Sequence, residues 1–255
     1  MTQTTEAPIL RVRGAVKSFG GARVLDGVDL ELGRGETVAL LGPSGCGKTV
    51  LLKCIVGLIT LDEGEIVFDG ASVTAMSEAE RLAMRRRVGL MFQYNALFDS
   101  MTVAENVAYG LHEGGGTPMP EADIEARVAW ALECVGLAGT QALRPEELSG
   151  GMRKRVGLAR TMALRPEVIL YDEPTMGLDP VNAHRIGALI QGLHTRFGIS
   201  SLMDVWCLLR NLELAGERTR GLYVCKARGM AHSNQIREFL LTEAEKLMLE
   251  SKKNI

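Results

Sequence analysis

Short apolar runs alternate with longer segments of helical periodicity along the chain. The short runs, rich in Val, Ile and Leu, predict strands at residues 9–19, 25–32, 37–41, 65–68, 88–92 and 168–171. Segments with the three- and four-residue spacing of amphipathic helices predict helices at residues 49–57, 121–135 and 181–197. Ser77 and Glu80 have the spacing of a capping box, which predicts a further helix ending near residue 87.

This order of elements predicts an α/β fold with a mainly parallel sheet, because strands that alternate with helices usually pair in parallel. The strand at residues 25–32 follows the Gly20-Gly21 turn, so we interpret it as the return strand of the first one. Residues from about 102 to 164 are nearly all helical in pattern and predict a helical subdomain. Further on, residues 221–225 predict a strand and residues 236–250 a terminal helix.

Composition excludes several classes of function. The net charge is −2 and aromatic residues make up only 5%, which argues against a nucleic-acid-binding surface. No apolar stretch is long enough to span a membrane, and the polar N-terminus lacks the layout of a signal peptide, so we expect a cytoplasmic protein. The five cysteines include no C-x-x-C pair, so we expect reduced thiols rather than disulfides or a metal site.

A glycine-rich segment with the complete pattern G-x-x-x-x-G-K-T follows the predicted strand at 37–41 and precedes a predicted helix. Its backbone N–H groups and the start of the helix favour phosphate binding, while the lysine reaches the terminal phosphates and the threonine holds Mg²⁺. A chance glycine-rich turn is the alternative, which the strand and helix on either side disfavour. The candidate phosphate-binding residues are Gly42, Pro43, Ser44, Gly45, Cys46, Gly47, Lys48 and Thr49.

Two acids follow the predicted buried strand at 168–171. Ligands of a doubly wound sheet bind at the carboxyl ends of its strands, which is where Asp172 and Glu173 stand. We expect Asp172 to bind Mg²⁺ and Glu173 to act as the general base that polarises an attacking water molecule. The alternative, two solvated acids at a strand end, is weakened by the phosphate-binding loop in the same chain.

Five separate motifs together resemble the ABC transporter ATPases. As they stand here, they are GPSGCGKT (42–49), Gln93, LSGGM (148–152), VILYDEPT (168–175) and GLDP (177–180), and the resemblance covers about residues 9–200. By itself, Ser149 in LSGGM is only a sound helix N-cap. The resemblance adds a second role to the LSGGM segment, namely binding of the nucleotide held by a second copy of the chain.

The resemblance implies a P-loop NTPase of ABC type, in which one domain spans residues 1–255. Its parts are a RecA-like core with an antiparallel β subdomain (9–92 and 165–225), a helical subdomain (93–164) and a C-terminal helical tail (226–255). The helical subdomain contains the segment LSGGM (148–152), which is the signature motif of the family. It also implies ATP and Mg²⁺ as ligands, and a head-to-tail homodimer in which each site combines the phosphate-binding loop of one copy with the signature motif of the other.

Several residues take roles from this resemblance alone. Ser149, Gly150 and Gly151 contact the γ-phosphate held by the second copy, and Asp179 lies at the dimer seam. Gln93 contacts Mg²⁺, belongs to the catalytic set and senses a membrane partner. Phe19 stacks on adenine, with a role as a core aromatic as the alternative.

Finer features resemble one subgroup, the ATPases of bacterial phospholipid-trafficking transporters of the Mla or Mce-associated type. They are Met152 where many ABC ATPases have glutamine, residues 153–160 after it, and residues 93–103 upstream. The subgroup implies a membrane permease and a lipid-binding Mce-type subunit as partners, and a location on the inner face of the cell membrane through the permease. The basic run 153–155 is interpreted as an exposed helix face, with a contact of one of its arginines at the dimer interface as the alternative.

One position departs from the family pattern. Trp206 stands where ABC ATPases usually carry a histidine that contacts the γ-phosphate, and its ring nitrogen cannot accept a hydrogen bond. We therefore expect ATP binding with weakened hydrolysis. Residues 201–255 are unusual as a whole, which leaves a reading-frame slip, true divergence and an inactive regulatory copy as explanations.

An ABC ATPase for a substrate other than phospholipid remains open, and so do two functions other than transport. One is a nucleotide-binding regulatory subunit that does not hydrolyse ATP, which Trp206 favours. The other is a soluble ABC-type ATPase of DNA repair or translation, although the chain shows neither the long coiled-coil insertion nor the tandem nucleotide domains common in that class.

Overall fold

The computed structural model describes residues 7–43, 45–93, 96–113, 118–205, 221–227 and 235–240. In chain order its elements are β1 (Leu10–Phe19), β2 (Ala22–Leu32), β3 (Thr37–Leu41), α1 (Lys48–Ile55), β4 (Glu63–Phe68), β5 (Ala71–Ser72), α2 (Glu78–Arg87), β6 (Val88–Met91), α3 (Val103–Glu113), α4 (Glu121–Cys134), a 3-10 turn (Pro145–Glu147), α5 (Gly150–Ala163), β7 (Val168–Tyr171), α6 (Pro180–Phe197), β8 (Ser200–Val205), β9 (Gly221–Ala227) and β10 (Gln235–Leu240). The strands and helices predicted before residue 200 are confirmed, with small shifts at their ends.

The first sheet is antiparallel, with strand order β2-β1-β4-β5. β2 pairs with β1 from Leu10↔Leu32 to Phe19↔Ala22, which confirms the predicted return strand. One face of the sheet buries Leu10, Val12 and Leu25 against α1 and β3, in a shared hydrophobic core.

The second sheet carries the parallel strands and has the order β10-β9-β3-β8-β7-β6. β3, β8, β7 and β6 pair in parallel, whereas β9 runs antiparallel to β3. All four residues of β7 are buried, as the continuous apolar pattern of a strand covered on both faces requires. The carboxyl ends of β3, β7 and β6 therefore open on one edge of the sheet.

A helical layer formed by α3, α4 and α5 packs on this sheet through a second core. Val107, Leu132 and Leu158 join the helices to one another, and Tyr171 of β7 belongs to the same cluster. The buried amide of Asn106 donates to the backbone oxygens of Phe98, Met101 and Thr102, so the segment before α3 is fixed to that helix. Within the described residues no helix is both long and apolar enough to cross a membrane.

The predicted C-terminal helix is wrong over residues 236–240. These residues lie in β10, which pairs antiparallel with β9 from Gln235↔Lys226 to Leu240↔Gly221. The apolar residues at 236, 239 and 240 match helical spacing, but an adjacent strand offers backbone partners that override so short a pattern. The predicted strand at 221–225 is confirmed within β9. The rest of the predicted helix, residues 241–250, and the position of Trp206 lie outside the described residues.

A partly buried histidine of α6 joins that helix to β3 and β7. The ring nitrogens of His194 in α6 lie 3.0 Å from the Tyr171 hydroxyl and 3.4 Å from the Thr37 hydroxyl. Burial lowers the pKa of His194 from 6.5 to about 4, because a charged imidazolium is poorly solvated there. The folded protein thus keeps this ring neutral at pH values where an unfolded chain would protonate it.

We predict that this histidine makes the fold sensitive to mild acid. Its contribution to the free energy of unfolding is complete above pH 6.5 and is lost as the pH falls toward 4. The loss amounts to about 3.5 kcal/mol at most, because the pKa falls from 6.5 to about 4 and one pKa unit corresponds to about 1.4 kcal/mol. Urea unfolding at several pH values should show a flatter dependence for His194→Gln than for the parent. Exposed His184 of the same helix supplies the control, and equal slopes for parent and His194→Gln would contradict the prediction.

Candidate functional site

The phosphate-binding loop joins β3 to α1 through two glycines with positive φ, Gly45 at 82° and Gly47 at 100°. Gly47 is the N-cap of α1 and has no side chain that occupies the first N–H groups of the helix. These N–H groups and the helix dipole favour an anion at this point. Gly42 is half-buried and Pro43 is exposed at the start of the loop, Cys46 is buried, and Ser44 lies outside the described residues.

Lys48 is only 4% exposed, although it carries a charge. Its ammonium group donates to the carbonyl oxygens of Gly42, at 2.8 Å, and Pro43, at 3.0 Å. The Lys48 side chain thus reaches back across the phosphate-binding loop and donates hydrogen bonds to backbone oxygens at the start of the loop. A phosphate placed in the loop would meet a cation whose position the loop itself already fixes.

Thr49 and Asp172 meet although 123 positions separate them in sequence. The Thr49 hydroxyl donates to the Asp172 carboxylate at 2.7 Å, and Asp172 is 4% exposed. A hydroxyl and a carboxylate are oxygen ligands of the kind that Mg²⁺ takes, together with phosphate oxygens and water. The pair therefore fits Mg²⁺ of a nucleotide. Among the described residues, no group of three or more His, Cys, Asp and Glu side chains suits a metal held by protein alone.

Gln93 and Glu173 form the second pair of the site. Gln93 follows β6 and Glu173 follows β7, and these strands are parallel neighbours. The Gln93 amide nitrogen donates to a Glu173 carboxylate oxygen at 2.8 Å. Glu173 has a φ of 46°, a left-handed conformation that costs a non-glycine residue about 1 kcal/mol or more. Strain of this kind clusters at functional sites, where it aims a side chain.

The signature segment lies at the start of α5. Ser149 caps the helix through a hydrogen bond from the Met152 backbone N–H to its hydroxyl at 3.2 Å, so the interpretation of Ser149 as an N-cap is confirmed. Ser149 and Gly150 are exposed and Gly151 is half-buried. An exposed helix start with two glycines can approach an anion closely, which leaves it accessible to a ligand held by another molecule.

Asp179 caps α6 in a similar way. One carboxylate oxygen accepts from the backbone N–H groups of Val181 and Asn182, each at 3.0 Å. The hydrogen bond from Asn182 lowers the pKa of Asp179. A Cβ atom at Gly151 would lie 3.5 Å from the Asn182 side chain, so the starts of α5 and α6 are close to each other.

Phe19 is 47% exposed at the end of β1, which argues against the alternative of a core aromatic. The Lys17 ammonium lies 5.5 Å from the centre of its ring. Phe19 pairs with Ala22, and Val24 nearby lies against Gly47 of the phosphate-binding loop. The start of β2 therefore connects the end of β1, where Phe19 stands, to the phosphate-binding loop.

Lys154 is a site residue that the sequence interpretation missed. It was assigned to an exposed helix face but is 3% exposed, and its ammonium group donates to the Gln93 backbone oxygen at 2.5 Å. Burial lowers its pKa, while the charges of Glu173 and Asp172 oppose that shift. The helical spacing could have indicated this burial, because Leu158, one turn further along α5, is apolar and buried on the same face. The basic neighbours at 153 and 155 obscured that pattern.

Comparison with known proteins gives a consistent result. The sequence profile described as ABC transporter matches residues 25–176. The intermembrane phospholipid transport system ATP-binding protein MlaF of Escherichia coli K12 is 41% identical over 197 residues, which are 77% of this chain and 72% of that protein. The probable ribonucleotide transport ATP-binding protein mkl of Mycobacterium leprae is 41% identical over 194 residues, 76% of this chain and 55% of that protein.

Solved structures agree with the fold. The dimeric structure of a bacterial ABC transporter cassette superposes with a TM-score of 0.71 at 29% identity, covering 77% of this chain and 87% of that one. A post-hydrolysis state of an ATP-binding cassette, bound to ADP and Pi, gives a TM-score of 0.70 at 29% identity, covering 78% of this chain and 88% of that one.

Proposed function

The chain belongs to the ABC transporter family as an ATP-binding subunit, and we propose that it hydrolyses ATP to power phospholipid trafficking in the bacterial envelope. The observation that carries the hydrolytic part is the pairing of Thr49 with Asp172 and of Gln93 with Glu173 at one sheet edge. The phospholipid part is supported by the 41% identity to MlaF.

Each residue of this edge has a distinct task in the proposed reaction. The loop N–H groups and Lys48 bind the phosphates, and Thr49 and Asp172 hold Mg²⁺. When bound, Mg²⁺ neutralises the charge of the phosphate oxygens. The Glu173 carboxylate accepts a proton from the attacking water, and the Gln93 amide holds that carboxylate in place. Catalysis then rests on positioning and electrostatic stabilisation, as in other phosphoryl transfers.

A second copy of the chain completes the site in this proposal. Ser149, Gly150 and Gly151 present backbone N–H groups at the exposed start of α5, and they would bind the γ-phosphate held by the partner. Asp179 would lie at the seam, since α6 begins beside the start of α5. Phe19 would stack on adenine. The dimeric cassette with a similar fold supports this arrangement.

The membrane partners are a permease, which holds the subunit at the inner face of the cell membrane, and a lipid-binding Mce-type subunit. A groove of about 630 Å³ between α3 and α4 offers a docking surface for the permease. Its floor includes Ala108 and Val128, and its rim carries Glu105 and Glu121, which favour a short basic helix. The Phe98–Tyr109 ring contact, with 4.6 Å between centroids, links this surface to the segment after Gln93.

A second candidate function, a nucleotide-binding subunit with impaired hydrolysis, rests on Trp206. That residue lies outside the described residues, so weakened hydrolysis stays a prediction from the sequence. Any test of the proposed function must therefore separate ATP binding from ATP cleavage.

We expect the tagged full-length chain to co-purify with a polytopic membrane protein and, in nanodiscs of bacterial phospholipids, to hydrolyse MgATP faster than the isolated subunit does. Transfer of a fluorescent phospholipid between membranes should require ATP. A Trp206→His variant in the same assembly should raise kcat with little change in ATP affinity. Purification without any membrane subunit would contradict the transport function, and stimulation by a soluble solute such as an amino acid, rather than by lipid, would contradict the substrate class.

A further inference from the structure

Two cationic side chains of α5 bind the backbone of the segment that starts at Gln93. The Lys154 ammonium donates to the Gln93 oxygen at 2.5 Å, and the Arg160 guanidinium donates to the Ala96 oxygen at 2.6 Å. Both cations project from the helix whose first turn is the signature segment, so α5 holds the Gln93 segment at two points. Lys154 is the one that lies beside the reacting groups.

The burial of Lys154 is costly unless something in the site depends on its charge. An ammonium group taken out of water loses a large solvation energy and is retained only where it is paired or hydrogen-bonded. At 3% exposure, Lys154 has the Gln93 carbonyl as its partner and the carboxylates of Glu173 and Asp172 within electrostatic range. An apolar residue would fill the same space without this cost, so packing alone does not account for a lysine here.

We propose that Lys154 is a positioning residue for ATP hydrolysis: by fixing the Gln93 main chain it holds the Gln93 amide against Glu173. The chain of contacts runs from the Lys154 ammonium to the Gln93 oxygen, and from the Gln93 amide to the Glu173 carboxylate. Lys154 touches neither nucleotide nor water in this scheme. The inference rests on the proposed function, in which Glu173 is the general base.

The test compares the parent with Lys154→Met and Lys154→Arg in the full-length chain assembled with its permease. Loss of a hydrogen bond to a charged group at the site should lower kcat roughly tenfold in Lys154→Met, with KM for ATP changed less than about twofold. Lys154→Arg keeps a charged donor and should retain most of the turnover. Combined with Gln93→Ala, Lys154→Met should cause little further loss, since the two residues act through one contact.

The matched control is Arg155→Met. Arg155 is the next residue of α5, and its guanidinium binds the backbone oxygens of Val135 and Gly136, at the end of α4. The Arg155→Met variant loses a comparable contact between a side chain of α5 and a backbone oxygen, but it should keep the kcat of the parent. Equal losses of kcat in Lys154→Met and Arg155→Met would show a merely structural role and overturn the inference.

Hydrogen exchange supplies a readout that does not need turnover. Lys154→Met should speed amide exchange in the peptide around Gln93 while the peptide of the phosphate-binding loop exchanges as in the parent. If the parent assembly hydrolyses no ATP, the proposed function fails, and unchanged exchange around Gln93 separately overturns the role of Lys154. If Lys154→Met does not fold, Lys154→Leu, which also lacks a hydrogen-bond donor, carries the same measurements with the same expectations.

Discussion

Replacing Glu173 with glutamine should reduce ATP turnover by at least about a hundredfold while MgATP binding is retained, because a positioned general base contributes about 10²–10⁴-fold. The amide has nearly the shape of the carboxylate, so the contact with Gln93, now 2.8 Å, and the strained backbone at φ 46° can both persist. What is lost is the capacity to accept a proton from water. Thr49 and Asp172, which bind Mg²⁺ in the proposed site, are untouched.

Turnover is measured in the assembled transporter, and binding by equilibrium titration with a fluorescent ATP analogue. Because cleavage is blocked after binding, Glu173→Gln should also accumulate an ATP-bound dimer, which light scattering detects. This measurement stays informative even where the parent hydrolyses ATP slowly. Glu133→Gln, an exposed position on α4, controls for the loss of one negative charge. A Glu173→Gln protein that keeps more than about a tenth of the parent kcat would show that another group activates the water.

The contiguous part of the site was predictable because its physics is local. β3, the loop and α1 follow one another in the chain, and the glycines, lysine and threonine of the loop stand where phosphate binding requires them. The same holds for Asp172 and Glu173, since acids that directly follow a buried parallel strand stand at the carboxyl end of that strand, where ligands of such a sheet bind. Capping by Ser77 and by Ser149 was also readable, because caps depend on only four residues.

Contacts between distant segments were not predictable from pattern. Gln93 meets Glu173 because β6 lies beside β7, a pairing that no local rule dictates, and only the family resemblance brought Gln93 into the candidate site. Lys154 was missed for the same reason, since its partner lies 61 positions away. The helix predicted at 236–240 was wrong because a local pattern was trusted too far. The apolar spacing there is helical, but pairing with β9, which a local pattern does not include, makes the segment a strand.

The conformation of Gly47 makes the phosphate-binding loop sensitive to a single methyl group. Its φ is 100°, a region that L side chains rarely adopt, and a Cβ atom there would lie 2.8 Å from the Val24 backbone oxygen and 3.1 Å from the Leu25 side chain. Backbone cannot move aside as a flexible side chain can. Gly47→Ala therefore combines a strained φ with a collision at the residue that caps α1, and either the loop or the first turn of the helix must shift.

Such strain costs about 3 kcal/mol, so we expect Gly47→Ala to weaken MgATP binding by on the order of a hundredfold. The measurement is equilibrium binding of a fluorescent ATP analogue, with thermal unfolding monitored in parallel. Gly139→Ala is the matched control, because Gly139 has a φ of 83° but a Cβ there would meet nothing within 4 Å, and it lies in the helical layer away from the loop. Both variants should lose some stability, and only Gly47→Ala should lose affinity. Normal ATP affinity in Gly47→Ala would mean that the loop reaches its binding geometry without the backbone conformation described here, and that the anion site depends on Lys48 and the helix start alone.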